Sequence, residues 1–117
     1  FYFLSAEDYF QSVIVHELAH SLFENARCPF AACIVANEYL AYAMQVMSLT
    51  AEQQAQFAEN SGIDSRISRD ELSVAIYMFA PNKFAQKAWA HLNQREDPCQ
   101  YLGQILDGTI LLDRERF

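Results

Sequence analysis

Residues 5–24, SAEDYFQSVIVHELAHSLFE, contain the segment His16-Glu17-Leu18-Ala19-His20, around which the chain is organised. Ser5, with Asp8 three residues later, predicts the N-terminal cap of a helix. Two histidines four residues apart on a helix lie on one side of it, about one turn apart, so both imidazoles can reach a single metal ion. The segment therefore predicts a zinc-binding helix.

Glu17 follows the first histidine directly and leans toward the same side of the helix. At that position its carboxylate is close to a water bound to the metal, although it need not bind the metal itself. We predict that Glu17 transfers protons as a general base.

A zinc site that keeps one position for water needs a third protein ligand, and Glu38 is the candidate. If the first helix ends near residue 26 and the second begins at residue 30, His20 lies about 9 Å before the turn and Glu38 about 12 Å after it. Antiparallel packing then places the two side chains at nearly the same height along the helix axes. The short connection, residues 25–29, with Pro29 at the first helical position, favours such a hairpin.

The composition of the second helix also indicates that Glu38 binds a cation. Residues 30–47 are almost entirely apolar, and an ionised carboxylate buried among them is costly unless it is paired or binds a metal. The alternatives are a protonated Glu38, a Glu38 exposed at a rim, and a Glu38 paired with Arg27.

The segment His16-Glu17-Leu18-Ala19-His20, followed by Asn37-Glu38, resembles the gluzincins, the zinc metallopeptidases that include thermolysin-like proteases and zinc aminopeptidases. The resemblance implies that His16, His20 and Glu38 bind Zn²⁺ and that Glu17 is the general base. The stretch between His20 and Glu38 is a little shorter than in the best-known members. Tyr42 stands where thermolysin-like enzymes carry an aspartate that supports a zinc histidine. The pattern fits a small, divergent zincin-like protein of bacterial type.

The resemblance implies a zinc-dependent hydrolase in which a zinc-activated water attacks a peptide bond, with Zn²⁺ as cofactor and a peptide or protein as substrate. Tyr42, one turn beyond Glu38, is the predicted catalytic donor to the oxyanion, and Tyr39, Tyr77 and His91 are further candidates.

Two alternatives remain open: a zinc-binding, catalytically silent interaction module, and a helical bundle in which the motif only packs and no metal binds. Glu17 favours the enzyme, because a structural zinc site usually has four protein ligands and no use for a free carboxylate beside a water.

The remaining sequence predicts a mainly α fold, a single small helical domain of residues 1–117 with about six helices and an antiparallel active-site hairpin. The largely apolar first helix is expected to run through the middle of the domain. Residues 109–112 are a candidate strand and residues 113–116 a candidate solvated tail. The predicted helices, from caps, Gly and Pro positions, are residues 6–26, 30–48, 51–61, 69–80, 81–93 and 98–106.

The composition of the chain argues against some classes of binding partner. The chain is 52% hydrophobic and carries a net charge of −7, and its eight Lys and Arg form no cluster, which argues against nucleic acid and anionic membranes. The longest apolar run, residues 30–47, is short for a membrane span and contains Asn37-Glu38, so it predicts a buried helix. The sequence predicts no oligomeric state.

Three cysteines permit one disulfide. A bridge from Cys28 or Cys33 to Cys99 would pin the last helix to the hairpin, and three reduced thiols are the alternative. The compartment is therefore open, with a secreted or periplasmic location among the options. Because the sequence starts without Met and zincin peptidases usually place a β-sheet before this helix, we expect the N-terminus to be trimmed or the substrate to be held differently.

Overall fold

A computed structural model describes residues 1–113, and within them the protein is all-helical, with no β-strand. A single 3₁₀ turn, Arg69–Glu71, precedes the fourth helix. The mainly α prediction with six helices is confirmed. The helices are α1 (Ala6–Phe23), α2 (Ile34–Met47), α3 (Ala51–Ser61), α4 (Val74–Phe79), α5 (Pro81–Asn93) and α6 (Pro98–Leu106).

Side-chain caps form the predicted starts of α1, α3 and α6. The Ser5 hydroxyl accepts a hydrogen bond from the Asp8 backbone N–H, and the Asp97 carboxylate accepts one from that of Gln100. Thr50 and Gln53 form a capping box at the start of α3, and this helix ends at Gly62 with a φ of 66°. These interactions satisfy backbone groups that a helix end leaves unpaired, which is why the sequence located the starts correctly.

The hairpin between α1 and α2 differs from the prediction. The helix α1 ends at Phe23, because the next three backbone N–H groups bond to carbonyls three residues back and tighten the chain into turns. A disulfide joins Cys28 to Cys33 and closes a small loop, after which α2 begins at Ile34. Pro29 therefore lies in this loop and does not start a helix, and both predicted bridges to Cys99 were wrong. The Cys99 thiol is free and exposed.

The predicted fourth helix, residues 69–80, is interrupted. The backbone N–H groups of Glu71 and Leu72 donate to the carbonyls of Ser68 and Arg69, which forms only a 3₁₀ turn, and the Glu71 side chain accepts a hydrogen bond from the Ser68 backbone N–H. The chain is then extended at Ser73, whose hydroxyl accepts a hydrogen bond from the Ile76 backbone N–H and caps the shorter helix α4.

Residues 109–112 form no strand, so the expected strand was wrong. Gly108 turns the chain with a φ of 82°, and a Cβ there would lie 3.0 Å from the Cβ of Arg27. Asp113, expected in a solvated tail, accepts hydrogen bonds from the backbone N–H groups of Val35 (2.7 Å) and Ala36 (2.9 Å). It thereby caps α2, whose own N-cap residue, Cys33, supplies no side-chain bond. The rest of the predicted tail, residues 114–116, lies outside the described residues.

The centre of the domain is α2 and not α1. Eight of the fourteen residues of α2 are buried, whereas the buried residues of α1 are Ser12 and Ala19. The prediction that α1 runs through the middle was wrong, because α1 packs mainly on α2 and leaves its opposite, apolar face open. The exposed residues of that face are Phe10, Ile14, Leu18 and Leu22.

The two helices of the hairpin are antiparallel, as predicted. Ser12 and His16 of α1 bond to Gln45 late in α2, and His20 bonds to Asn37 early in α2. No helix of the described residues is both long enough and apolar enough to cross a membrane.

Candidate metal centre

Both histidines of α1 face one carboxylate of α2. The Nε2 atom of His16 lies 3.4 Å from one carboxylate oxygen of Glu38, and the Nε2 atom of His20 lies 3.4 Å from the other. The ring centroids of the two histidines are 4.8 Å apart. The structure thus brings together the three side chains that the sequence singled out as ligands. Glu38 is 13% exposed, so its charge is mostly removed from water.

The other nitrogen of each ring is hydrogen-bonded to a side-chain amide. The Nδ1 atom of His16 lies 2.9 Å from Oε1 of Gln45, and Nδ1 of His20 lies 2.7 Å from Oδ1 of Asn37. An amide oxygen is an acceptor, so each Nδ1 carries the proton and donates it. In the neutral form of each ring, the Nε2 lone pair then faces Glu38, which is the tautomer that a metal ligand needs.

Gln45 is itself held in place. Its Nε2 group donates to the hydroxyl of Ser12 at 3.1 Å, and that hydroxyl donates to the backbone carbonyl of Tyr9 at 2.7 Å. Both Gln45 and Ser12 are buried. Because the amide nitrogen is used by Ser12, the amide oxygen must face His16. The orientation of the His16 ring is therefore determined by buried hydrogen bonds from two helices.

The arrangement fits a small divalent cation. In that neutral form two imidazole lone pairs and a carboxylate converge, which is unfavourable unless a cation lies among them. In a tetrahedral zinc site with bonds of about 2.0–2.1 Å, two ligand atoms are about 3.3 Å apart. Each Nε2 atom lies 3.4 Å from a different oxygen of Glu38, which is close to this spacing for each histidine–carboxylate pair taken separately.

Glu17 lies beside these ligands and remains open to solvent. His16, Glu17 and His20 each have a potential ligand atom within 4.8 Å of those of the other two. Glu17 is exposed, whereas Glu38 is largely buried between the helices. The two carboxylates therefore occupy different environments, as expected if one binds the ion and the other exchanges protons with water.

Two tyrosines approach Glu38. The Tyr42 ring packs edge-on against the His16 ring at 4.6 Å between centroids, and burial followed by the charge of Glu38 raises the pKa of Tyr42 to about 12. Tyr77 of α4 also lies close enough to Glu38 to interact with its carboxylate. Burial, followed by the charge of Glu38 and this interaction, raises the pKa of Tyr77, so both phenols are protonated at neutral pH.

Two other candidates from the sequence lie away from this centre. The hydroxyl of Tyr39 is 2.8 Å from Nδ1 of His91, and both side chains are fully buried. Burial, and then the positive charges of Arg95, Arg69 and Arg66, lower the pKa of His91 to about 4. Neither residue is open to a substrate, because α2 directs Tyr39 into the core while Glu38 faces α1.

Sequence analysis missed the roles of Ser12 and Gln45. Gln45 lies seven residues after Glu38 and so on the same side of α2, but its bond to His16 depends on the register of the hairpin. Ser12 lies four residues before His16 and is polar within an apolar helix, which is the signal that a sequence carries for such a supporting residue.

Comparison with known proteins gives one match. The model of a family described as "Family of unknown function (DUF6639)" matches residues 1–115. No curated protein and no solved structure matches the chain.

Proposed function

The chain belongs to this family of unknown function, and we propose that it is a zinc-dependent hydrolase that cleaves peptide bonds. The observation that supports the proposal most is the convergence of His16, His20 and Glu38, with both histidines fixed in the ligand tautomer, next to an exposed Glu17. Zn²⁺ bound there supplies a water of lowered pKa and polarises the carbonyl of the substrate.

The residues around the site have complementary roles in this proposal. His16, His20 and Glu38 bind the ion, and the amides of Gln45 and Asn37 keep the two rings in place. Glu17 accepts the proton of the attacking water and passes it to the nitrogen of the scissile bond, so that the C–N bond breaks into an acid and an amine. Tyr77 and Tyr42 are the phenol donors near the carbonyl oxygen, where negative charge develops.

Metal content tests the ligand set. Elemental analysis of the purified protein should show about one zinc per chain, as expected for a single three-ligand site. His16→Ala and Glu38→Ala should lose this zinc, whereas Glu24→Gln should keep it, because Glu24 is an exposed carboxylate beyond the end of the same helix. Full zinc retention by Glu38→Ala would contradict the proposed ligand set.

Peptide cleavage tests the reaction. With a library of fluorescence-quenched peptides, the zinc-loaded protein should release fluorescence, and Glu17→Gln should bind zinc fully while losing cleavage by about 100-fold or more. A cleaving Glu17→Gln variant would exclude Glu17 as the base. Zinc binding without cleavage of any peptide would instead support the catalytically silent binding module.

A further inference from the structure

A cavity of about 560 Å³ lies at the N-terminal end of α2. One wall is the loop closed by the Cys28–Cys33 disulfide, since residues 29–32 all line the cavity. The first turn of α2 and the segment leading into α4 form two further walls, and Leu112 contributes from the C-terminal segment. Its size is in the range of small-molecule and side-chain pockets, about 300–1,000 Å³.

The cavity and the metal centre both include residues of α2 and α4. Glu38 lies on α2, and Tyr77, whose pKa the charge of Glu38 raises, lies on α4. Ile34 precedes Glu38 by four residues and Val74 precedes Tyr77 by three, and Ile34 and Val74 both line the cavity. Residues three or four apart share a helix face, so these two lining residues lie about one helical turn, roughly 5 Å along the helix axis, from Glu38 and Tyr77.

Nine of the thirteen residues that line the cavity are apolar, while its surface is divided almost evenly between polar and apolar atoms. Two of its polar groups are already used within the fold, because the Asp113 carboxylate caps α2 and the Ser73 hydroxyl caps α4. The charged side chains of Arg69 and Asp70 lie in exposed residues at the edge. The principal apolar walls are formed by Phe30, Ile34, Val35, Leu72, Val74 and Leu112.

We propose that this cavity binds a large apolar side chain of the peptide substrate, next to the bond that is cleaved at the metal centre. The proposal rests on the peptidase function proposed above. An extended peptide advances about 3.3 Å per residue, so a separation of one helical turn places in the cavity a side chain one or two residues from the scissile bond. Leucine, isoleucine, methionine or phenylalanine fits walls of this composition, and a charged side chain there would lose its hydration.

The binding test does not require metal. The probes are N-acetyl-leucinamide and N-acetyl-phenylalaninamide, with N-acetyl-glycinamide as the control ligand, added to the metal-free protein and followed by ¹H–¹⁵N NMR. The two apolar amides should shift the backbone signals of residues 30–35 and 72–75 in a saturable manner, and the glycine amide should not. Absence of these shifts, or shifts confined to other residues, would overturn the proposal.

A pair of tryptophan variants tests the location. Ala31 is an exposed residue of the disulfide loop that lines the cavity, and Ala58 is an exposed residue of α3 that does not line it. Ala31→Trp should fill the cavity and weaken binding of N-acetyl-phenylalaninamide at least about tenfold, a loss typical of a blocked apolar pocket. Ala58→Trp should bind as the unmodified protein does. Equal binding by both variants would contradict the assignment.

The peptide library separates this proposal from the function on which it rests. If the chain binds zinc and cleaves peptides, the preferred substrates should carry an apolar residue within two positions of the cleaved bond, and Ala31→Trp should lose this preference while keeping its zinc. Cleavage without any apolar preference would overturn the cavity assignment alone. A protein without zinc that still binds the apolar amides in the cavity would overturn the peptidase function and leave the cavity as an apolar binding site.

Discussion

The side-chain oxygen of Gln45 lies 2.9 Å from Nδ1 of His16, and the nitrogen of the same amide donates to the buried hydroxyl of Ser12. A neutral amide therefore orients the first histidine. An amide polarises an imidazole less than a carboxylate does, so in the proposed zinc site His16 would be a weaker donor and would leave more positive charge on the ion.

Removal of this amide should weaken metal binding. Gln45→Leu deletes the acceptor for His16, and we expect the zinc dissociation constant, measured by competition with a chelator, to rise about 10–100-fold. Gln45→Glu should bind zinc at least as tightly as the unmodified protein, because the carboxylate is a stronger acceptor. The control is Gln56→Leu at an exposed position of α3. An unchanged dissociation constant in Gln45→Leu would show that the bond does not orient the ligand.

The two tyrosines near Glu38 should differ in their effect on catalysis. The charge of Glu38 acts on the Tyr77 hydroxyl, whereas the Tyr42 ring packs against His16 and Phe84. Removing one oxyanion donor typically lowers kcat about 100-fold, and we expect this loss in Tyr77→Phe and a smaller one in Tyr42→Phe. The measurement is kcat and KM for one peptide, together with zinc content. A larger loss of kcat in Tyr42→Phe would assign the donor to Tyr42.

Loss of the carboxylate cap on α2 should destabilise the protein. Asp113→Asn removes the negative charge that faces the backbone N–H groups of Val35 and Ala36, and Asp113→Ala removes both acceptor oxygens. We expect the free energy of unfolding, from urea titration, to fall by about 1–2 kcal/mol in Asp113→Ala and by less in Asp113→Asn. Asp64→Asn, at an exposed position, is the matched control. No change in Asp113→Ala would mean that the C-terminal segment does not cap α2 in solution.

Stability should depend on pH through the buried His91. Burial and three nearby arginines lower its pKa to about 4 in the folded protein, below the ordinary value of 6.5. Between pH 4 and pH 6.5, His91 is therefore protonated in the unfolded chain but not in the folded protein. The stabilising contribution is fully present above pH 6.5 and is lost as the pH falls toward 4, a total of about 3 kcal/mol for this group.

The dependence of the free energy of unfolding on pH tests the lowered pKa of His91. In the metal-free protein, the free energy of unfolding should fall more steeply between pH 6.5 and 4 than in His91→Asn, which has no group titrating in that range at this position. The comparison removes the contribution of the other titrating groups, which both proteins share. Parallel slopes would contradict the lowered pKa of His91.

Local signals in the sequence predicted much of the fold. Several helix ends are marked by interactions within a few residues, so their positions were predicted correctly: those at Thr50, Gly62, Asp97 and the prolines that start α5 and α6. The sequence did not predict the end of α1, the start of α2 or the break at Ser73. They depend on a disulfide, on a long-range cap from Asp113 and on a 3₁₀ turn, none of which periodicity or spacing reveals.

The sequence by itself determined that His16, Glu17 and His20 share a helix and that Glu38 faces them across an antiparallel hairpin, because helical spacing fixes the first relationship and the apolar surroundings of Glu38 favour the second. The tertiary structure decided which atoms meet. The direction of each imidazole depends on Gln45, Ser12 and Asn37, and the neighbouring apolar cavity depends on the packing of α4 and the C-terminal segment against α2. Contacts between residues far apart in the chain depend on how the helices pack, and this packing is a property of the whole fold.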